Sequence, residues 1–185
     1  NQLITQLKDF TDNFLEPCHM AKMVTKYIVL NETQQMLMIL RPYQFYAVES
    51  IVDRVKSTTK NGYIWHTTGS GKTLTSFKAA QIITGLEKGL KVVFVVDRKD
   101  LDYQTTKEFD SFSKGSVDAT NDTHSLVNQL TNDTNLIVTT IQKLNTAIRK
   151  SHFSQLMSKI QHERIVFIFD ECHRSQFGET HARIK

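Results

Sequence analysis

Residues 63–77 read YIWHTTGSGKTLTSF. The stretch joins an apolar triplet, Tyr63-Ile64-Trp65, to the amphipathic run 72–88 through a loop holding Gly69, Gly71, Lys72 and Thr73. Strand, glycine-containing loop and helix in that order are what a phosphate-binding loop requires. Gly69 and Gly71 let backbone N–H groups approach phosphate oxygens without a Cβ clash. The helix beginning near Gly71 adds unpaired N–H donors and the positive end of its dipole. In this pattern the cradle runs over Thr68, Gly69, Ser70 and Gly71, Lys72 reaches the outer phosphates of a nucleotide, and Thr73 places its hydroxyl on Mg2+. The bland alternative is a strand-to-helix turn bearing a solvated lysine. His66 occupies the position where the motif opens with glycine. That glycine shapes the strand exit, whereas the cradle is made by later residues.

Working outward, apolar runs of strand length recur at 92–96 (VVFVV), 136–141 (LIVTTI) and 165–169 (IVFIF). Between them lie segments with helical spacing: Leu74, Phe77, Ala80, Ile83 and Leu86 before Gly89, then Leu101, Thr105 and Phe109, then a short helix around 126–130, then Leu144, Ala147 and Ile148. Short Val- and Ile-rich strands, apolar on both faces and alternating with helices, predict an α/β fold with a mainly parallel sheet between two helical layers. In such sheets ligands bind at the carboxyl ends of the strands. Upstream, residues 1–16 carry Leu3, Leu7, Phe10 and Phe14 at helical spacing, 26–31 and 36–40 read as two short strands, and Pro42 fits the first turn of a helix.

The strand end after 165–169 reads Asp170-Glu171-Cys172-His173. Carboxylates there supply the second half of a phosphoryl-transfer site: Asp170 to hold Mg2+ and Glu171 to orient or deprotonate the attacking water. Taken alone, Asp170 serves equally well as a cap on the following turn.

Composition fits this picture and excludes others. The chain has 185 residues, 39% hydrophobic and 23% charged, with 23 basic and 19 acidic side chains. That permits contact with nucleic acid without demanding it. No apolar run reaches the roughly 20 residues of a membrane span. The two cysteines, Cys18 and Cys172, form neither a disulfide framework nor zinc spacing with the histidines, which points to a reducing cytoplasm.

Five segments come in a telling order: LRPYQFYAVESI (40–51), HTTGSGKT (66–73), VVFVVDRKDLDYQ (92–104), LIVTTIQKL (136–144) and IVFIFDECHRSQFGE (165–179). Together they resemble the first RecA-like domain of superfamily 2 helicases and translocases, and more narrowly the motor (R) subunit of type I restriction–modification enzymes. That group shows a DRxDLxxQ element, matched by Asp97, Arg98, Asp100, Leu101 and Gln104. It also shows a DExHRSQxG box, matched by Asp170, Glu171, His173, Arg174, Ser175, Gln176 and Gly178. The resemblance covers residues 39–185 and leaves 1–38 as a connecting segment. It implies a P-loop NTPase, a RecA-like three-layer sandwich, using ATP and Mg2+ in a prokaryotic cytoplasm to pull double-stranded DNA. It assigns Gln44 to the adenine edge, Gln104 and Thr140, the latter beside Thr139 and Gln142, to the DNA backbone, and His173 to coupling. On their own residue types, Gln44 reads equally as a polar residue of a solvated helix face, and Gln104 and Thr140 as plain structural groups. Partners implied are a second RecA-like domain and a nuclease domain of the same full-length chain, with methyltransferase and specificity subunits. The segment alone is expected to bind ATP weakly. Rivals are a repair or RNA helicase of the same superfamily, and a non-hydrolysing nucleotide-dependent binding module.

Overall fold

The structure is a computed structural model that describes residues 5–67, 69–87, 90–96, 99–112, 118–119, 122–149, 158, 160 and 163–170, with backbone alone for 99–105 and 118–119. Helices α1 (Leu7–Phe14) and α2 (Pro17–Lys26) lead into an antiparallel hairpin of β1 (Ile28–Asn31) and β2 (Met36–Ile39). Helices α3 (Pro42–Ser57) and α4 (Lys72–Thr84) follow. The remainder is β3 (Lys91–Val96), α5 (Lys99–Phe112), β4 (Asp118–Ala119), α6 (Thr123–Thr131), β5 (Leu136–Thr140), α7 (Ile141–Arg149) and β6 (Ile165–Phe169). Among the described residues, four strands form a parallel sheet in the order β4-β5-β3-β6.

Period-two alternation divides the sheet's side chains between two cores. Val92, Phe94, Val96, Leu136 and Val138 face one, with Val166 and Ile168 packed against it, and α3, α4 and α5 cover that side through Val48, Val52, Phe77, Ile83 and Phe109. Val93, Val95 and Ile137 face the other, which α6 and α7 cover through Leu126, Leu130, Leu144 and Ala147. The fold is therefore an α/β three-layer sandwich, as expected. Every residue of β3 is buried, which explains why its sequence shows no polar alternation.

Three details differ from expectation. Tyr63, Ile64 and Trp65 form no strand; Tyr63 is 85% exposed and Trp65 90%. A triplet is shorter than an ordinary strand, and no described strand pairs with it. Helix α4 ends at Gly85, whose N–H reaches back to Ile82 and Ile83, not at Gly89. Helix α2 starts at Pro17, where proline is favoured at the first turn, and a separate helix was not expected there. The 38/39 boundary falls inside β2, and Met23, Tyr27 and Val29 join the same core as Phe45 and Val48.

Ring contacts fix α4 against the sheet. Phe77 meets Phe109 at 5.2 Å and Phe112 at 5.1 Å, and Phe109 meets Phe94 of β3 at 5.1 Å. The short 85–90 connection joins the end of α4 to the start of β3, and both elements run about 20 Å. The N-terminus of α4 accordingly lies toward the carboxyl edge of the sheet.

One buried cation ties the second helical layer to the sheet. Lys91, only 4% exposed, donates from Nζ to Leu130 O at 2.7 Å and to Asn132 O, and pairs with Glu163 at 3.4 Å. It thereby satisfies carbonyls at the negative end of α6. Lys91→Met keeps the bulk but strands these acceptors, and is expected to cost about 3 kcal/mol. Urea unfolding of the chain checks this through a lowered midpoint at unchanged slope.

Candidate functional site

The loop before α4 takes its shape from two left-handed glycines, Gly69 at φ +74° and Gly71 at φ +75°. Ser70 between them is held at three atoms. Its N–H donates to Thr67 O at 3.3 Å, its Oγ donates to Thr67 O at 2.7 Å, and its carbonyl accepts from Tyr43 Oη at 2.9 Å and Gln44 Nε2 at 3.1 Å. The carbonyl of Gly71 accepts from Gln44 Nε2 at 3.3 Å, Thr75 N at 3.1 Å and Thr75 Oγ1 at 3.0 Å. Two successive carbonyls are thus turned onto α3 and α4.

In a planar trans peptide the N–H points opposite to the carbonyl. The N–H groups of Gly71 and Lys72 therefore point away from α3, toward the mouth of the loop. Gly71, the N-cap of α4, has no side chain to cap the helix's first amides. Convergent backbone donors at an uncapped helix start form a nest suited to a phosphate. Lys72 and Thr73, both half-buried, open the helix at this point. The expected cradle residues Gly69, Ser70 and Gly71 are thus brought together with Lys72 and Thr73, while Thr68 lies outside the described residues.

Gln44 has more than one task. It is 4% exposed. Its Oε1 accepts from the Arg41 N–H at 2.9 Å and so caps a backbone donor at the start of α3; the N-cap Arg41 has no side-chain acceptor to return the bond. Its amide donates to the loop. The spacing Arg41-Pro42-Tyr43-Gln44, with glutamine at the third helical position, is a signal by which sequence reading can find this cap. Tyr43 carried no comparable signal, because its partner lies across the fold.

At the carboxyl edge of the sheet, Val96 pairs with Thr140 and Val95 with Phe169, which levels the ends of β3, β5 and β6. Asp170 follows β6 directly, its N–H bonded to Val95 O at 3.0 Å. It thus stands at the edge toward which α4 points its N-terminus. The oxygen donors of Thr73 and Asp170 suit a hard cation such as Mg2+. Thr140 has a structural task in the fold. It is buried, and its Oγ1 accepts from the Lys143 N–H at 3.3 Å, so it caps the start of α7. Glu171 and His173 lie outside the described residues, as does the side chain of Gln104.

The SWI2/SNF2 ATPase family model matches residues 43–185. The chain belongs to the SWI2/SNF2 ATPase family. Within it, this SWI2/SNF2 segment is 53% identical, over its whole length, to a type I restriction enzyme endonuclease subunit of Staphylococcus saprophyticus, and 52% identical to one of Staphylococcus aureus. It spans about a fifth of the length of each. A Mycoplasma pneumoniae protein, named provisionally as the C-terminal part of a type I restriction enzyme endonuclease subunit, is 41% identical over the whole segment and 95% of its own length. The segment is therefore also a member of the type I restriction endonuclease subunits, as the sequence motifs predicted. Among the described residues, no helix of this SWI2/SNF2 segment is long and apolar enough to cross a membrane.

Proposed function

We propose that the chain is the ATP-binding half of a DNA translocase motor in a type I restriction enzyme R subunit, where Mg-ATP hydrolysis moves duplex DNA before a separate nuclease domain cuts it. The observation that carries this reading is the loop before α4, where the carbonyls of Ser70 and Gly71 are held by Gln44 so that the N–H groups of Gly71 and Lys72 face away from α3. Bound Mg-ATP supplies a phosphoanhydride whose cleavage is strongly favourable.

The chain's own residues divide the work. Thr68, Gly69, Ser70 and Gly71 form the cradle for phosphate oxygens; the Ser70 N–H is held by Thr67 O, so Ser70 sets the direction of the donors beside it. Lys72 neutralises charge on the outer phosphates, and Thr73 and Asp170 hold Mg2+. Glu171 orients the attacking water and takes its proton. Gln44 reads the adenine edge through the lone pair that its Oε1 keeps after accepting from Arg41 N, so that its Nε2 still braces the loop. His173 couples the site to DNA, and Gln104 contacts the DNA backbone through sugar or phosphate. The partner groups are a second RecA-like domain, the nuclease domain, and the methyltransferase and specificity subunits, all in the cytoplasm. That relatives bearing the restriction endonuclease name are about five times as long supports a division of labour among domains.

A motor must hydrolyse, whereas a nucleotide-gated binding module need only bind. Glu171→Gln in the full-length subunit is therefore expected to cut ATP turnover by about a hundredfold or more while ATP affinity stays within a few-fold. Unchanged turnover in that variant would remove Glu171 from the mechanism.

A further inference from the structure

The motif's opening glycine is replaced by His66, and the structure gives that histidine a task. His66 Nδ1 lies 3.0 Å from Ser70 Oγ. A hydroxyl has one proton, and Ser70 commits its own to Thr67 O. Ser70 Oγ can therefore only accept from the ring, so the proton sits on Nδ1. Nε2 is left as a bare acceptor, buried and without a hydrogen-bond partner among the described residues. Burial first, and the nearby Lys72 charge second, push the imidazole pKa below its ordinary value, so the ring stays neutral. Doubly protonated, it would place a second cation beside Lys72. The ring also meets Tyr43 edge-on at 6.2 Å, and Tyr43 holds the Ser70 carbonyl.

We propose that His66 is a positioning residue: a neutral, Nδ1-protonated clamp that grips Ser70 from one side, while Tyr43 and Gln44 grip it from the other, and so presets the phosphate cradle. Ser70 needs such holding. It is the side-chain-bearing residue between two glycines in the left-handed region, where the backbone alone leaves many conformations open. With Ser70 fixed, the peptide that follows is turned so that its N–H faces the nest. His66 in this way supplies by a side-chain bond the loop-entry geometry that glycine otherwise supplies by conformational freedom.

The inference rests on the ATP reading of the loop, and the test separates the two. Equilibrium binding of Mg-ATP to the full-length subunit is measured for parent, Lys72→Ala, His66→Gln, His66→Asn, Ser70→Ala and the His66→Gln/Ser70→Ala double variant. Asparagine carries an N–H as many bonds from Cα as histidine Nδ1, whereas glutamine carries its amide one bond further, at the Nε2 position. Expected are an affinity loss of about five- to tenfold for His66→Gln and for Ser70→Ala, the size of one hydrogen bond. His66→Asn should bind within about twofold of the parent, and the double variant should be no weaker than either single. Should His66→Gln fail to fold, Ser70→Ala removes the same bond from its other end. The clamp is overturned if His66→Asn binds as weakly as His66→Gln, if the single losses multiply in the double variant, or if neither single changes affinity. If Lys72→Ala binds as the parent does, the ATP reading falls; if only Lys72→Ala is impaired, the clamp alone falls.

Discussion

Lys72→Ala in the full-length subunit is expected to lower ATP turnover by two to three orders of magnitude, roughly the loss seen when a preorganised electrostatic donor is removed from a reacting centre. The same change should leave the fold intact or slightly firmer. A cation in the first turn of a helix opposes the dipole by about 0.3–1 kcal/mol, and alanine is the better helix former. Lys72 opens α4, which has no acidic residue in its first turn to offset that charge. Turnover by stopped assay and melting temperature by calorimetry, on the same preparation, test both halves. A variant that loses activity together with its fold would leave Lys72 a structural residue after all.

The second large effect belongs to Gly71, and Gly69 provides its control. Both have φ near +75°, so alanine at either pays about 1–2 kcal/mol in backbone strain. They differ in their surroundings. A Cβ on Gly69 meets nothing within 4 Å, whereas a Cβ on Gly71 would stand 2.4 Å from Gln44 Nε2. Gln44 is a flexible residue type, yet here it is buried and bonded to Arg41 N, Ser70 O and Gly71 O. Moving it sacrifices those bonds, at about 0.5–1.5 kcal/mol each, and releases both carbonyls of the nest. Gly69→Ala should then weaken ATP binding about tenfold, and Gly71→Ala by about a hundredfold or more. Equal effects would mean that Gln44 does not brace the loop.

Much of this was legible in the residues. The buried strand β3 announced itself because a strand covered on both faces needs unbroken Val, Ile and Phe, as in residues 92–96. The helices between them followed from spacing. The phosphate loop was legible because a backbone cradle needs glycine at fixed offsets from its lysine. Other features depend on distant partners. That Thr140 is buried and caps α7 is something that no local pattern encodes. His66 looked like a departure from a motif until Ser70, four residues on, was seen to commit its only proton to Thr67. The triplet 63–65 has strand composition, but a strand exists only through a neighbour, and no described strand pairs with it.

The central claim is that this ATP site is driven by duplex DNA. The most direct measurement is steady-state ATP hydrolysis by the full-length subunit in its complex, with and without linear duplex DNA carrying the recognition site, alongside a strand-separation assay on a short duplex. The account predicts turnover that rises at least about tenfold with duplex while the short duplex stays paired. Turnover indifferent to duplex DNA, or turnover accompanied by strand separation, would contradict it.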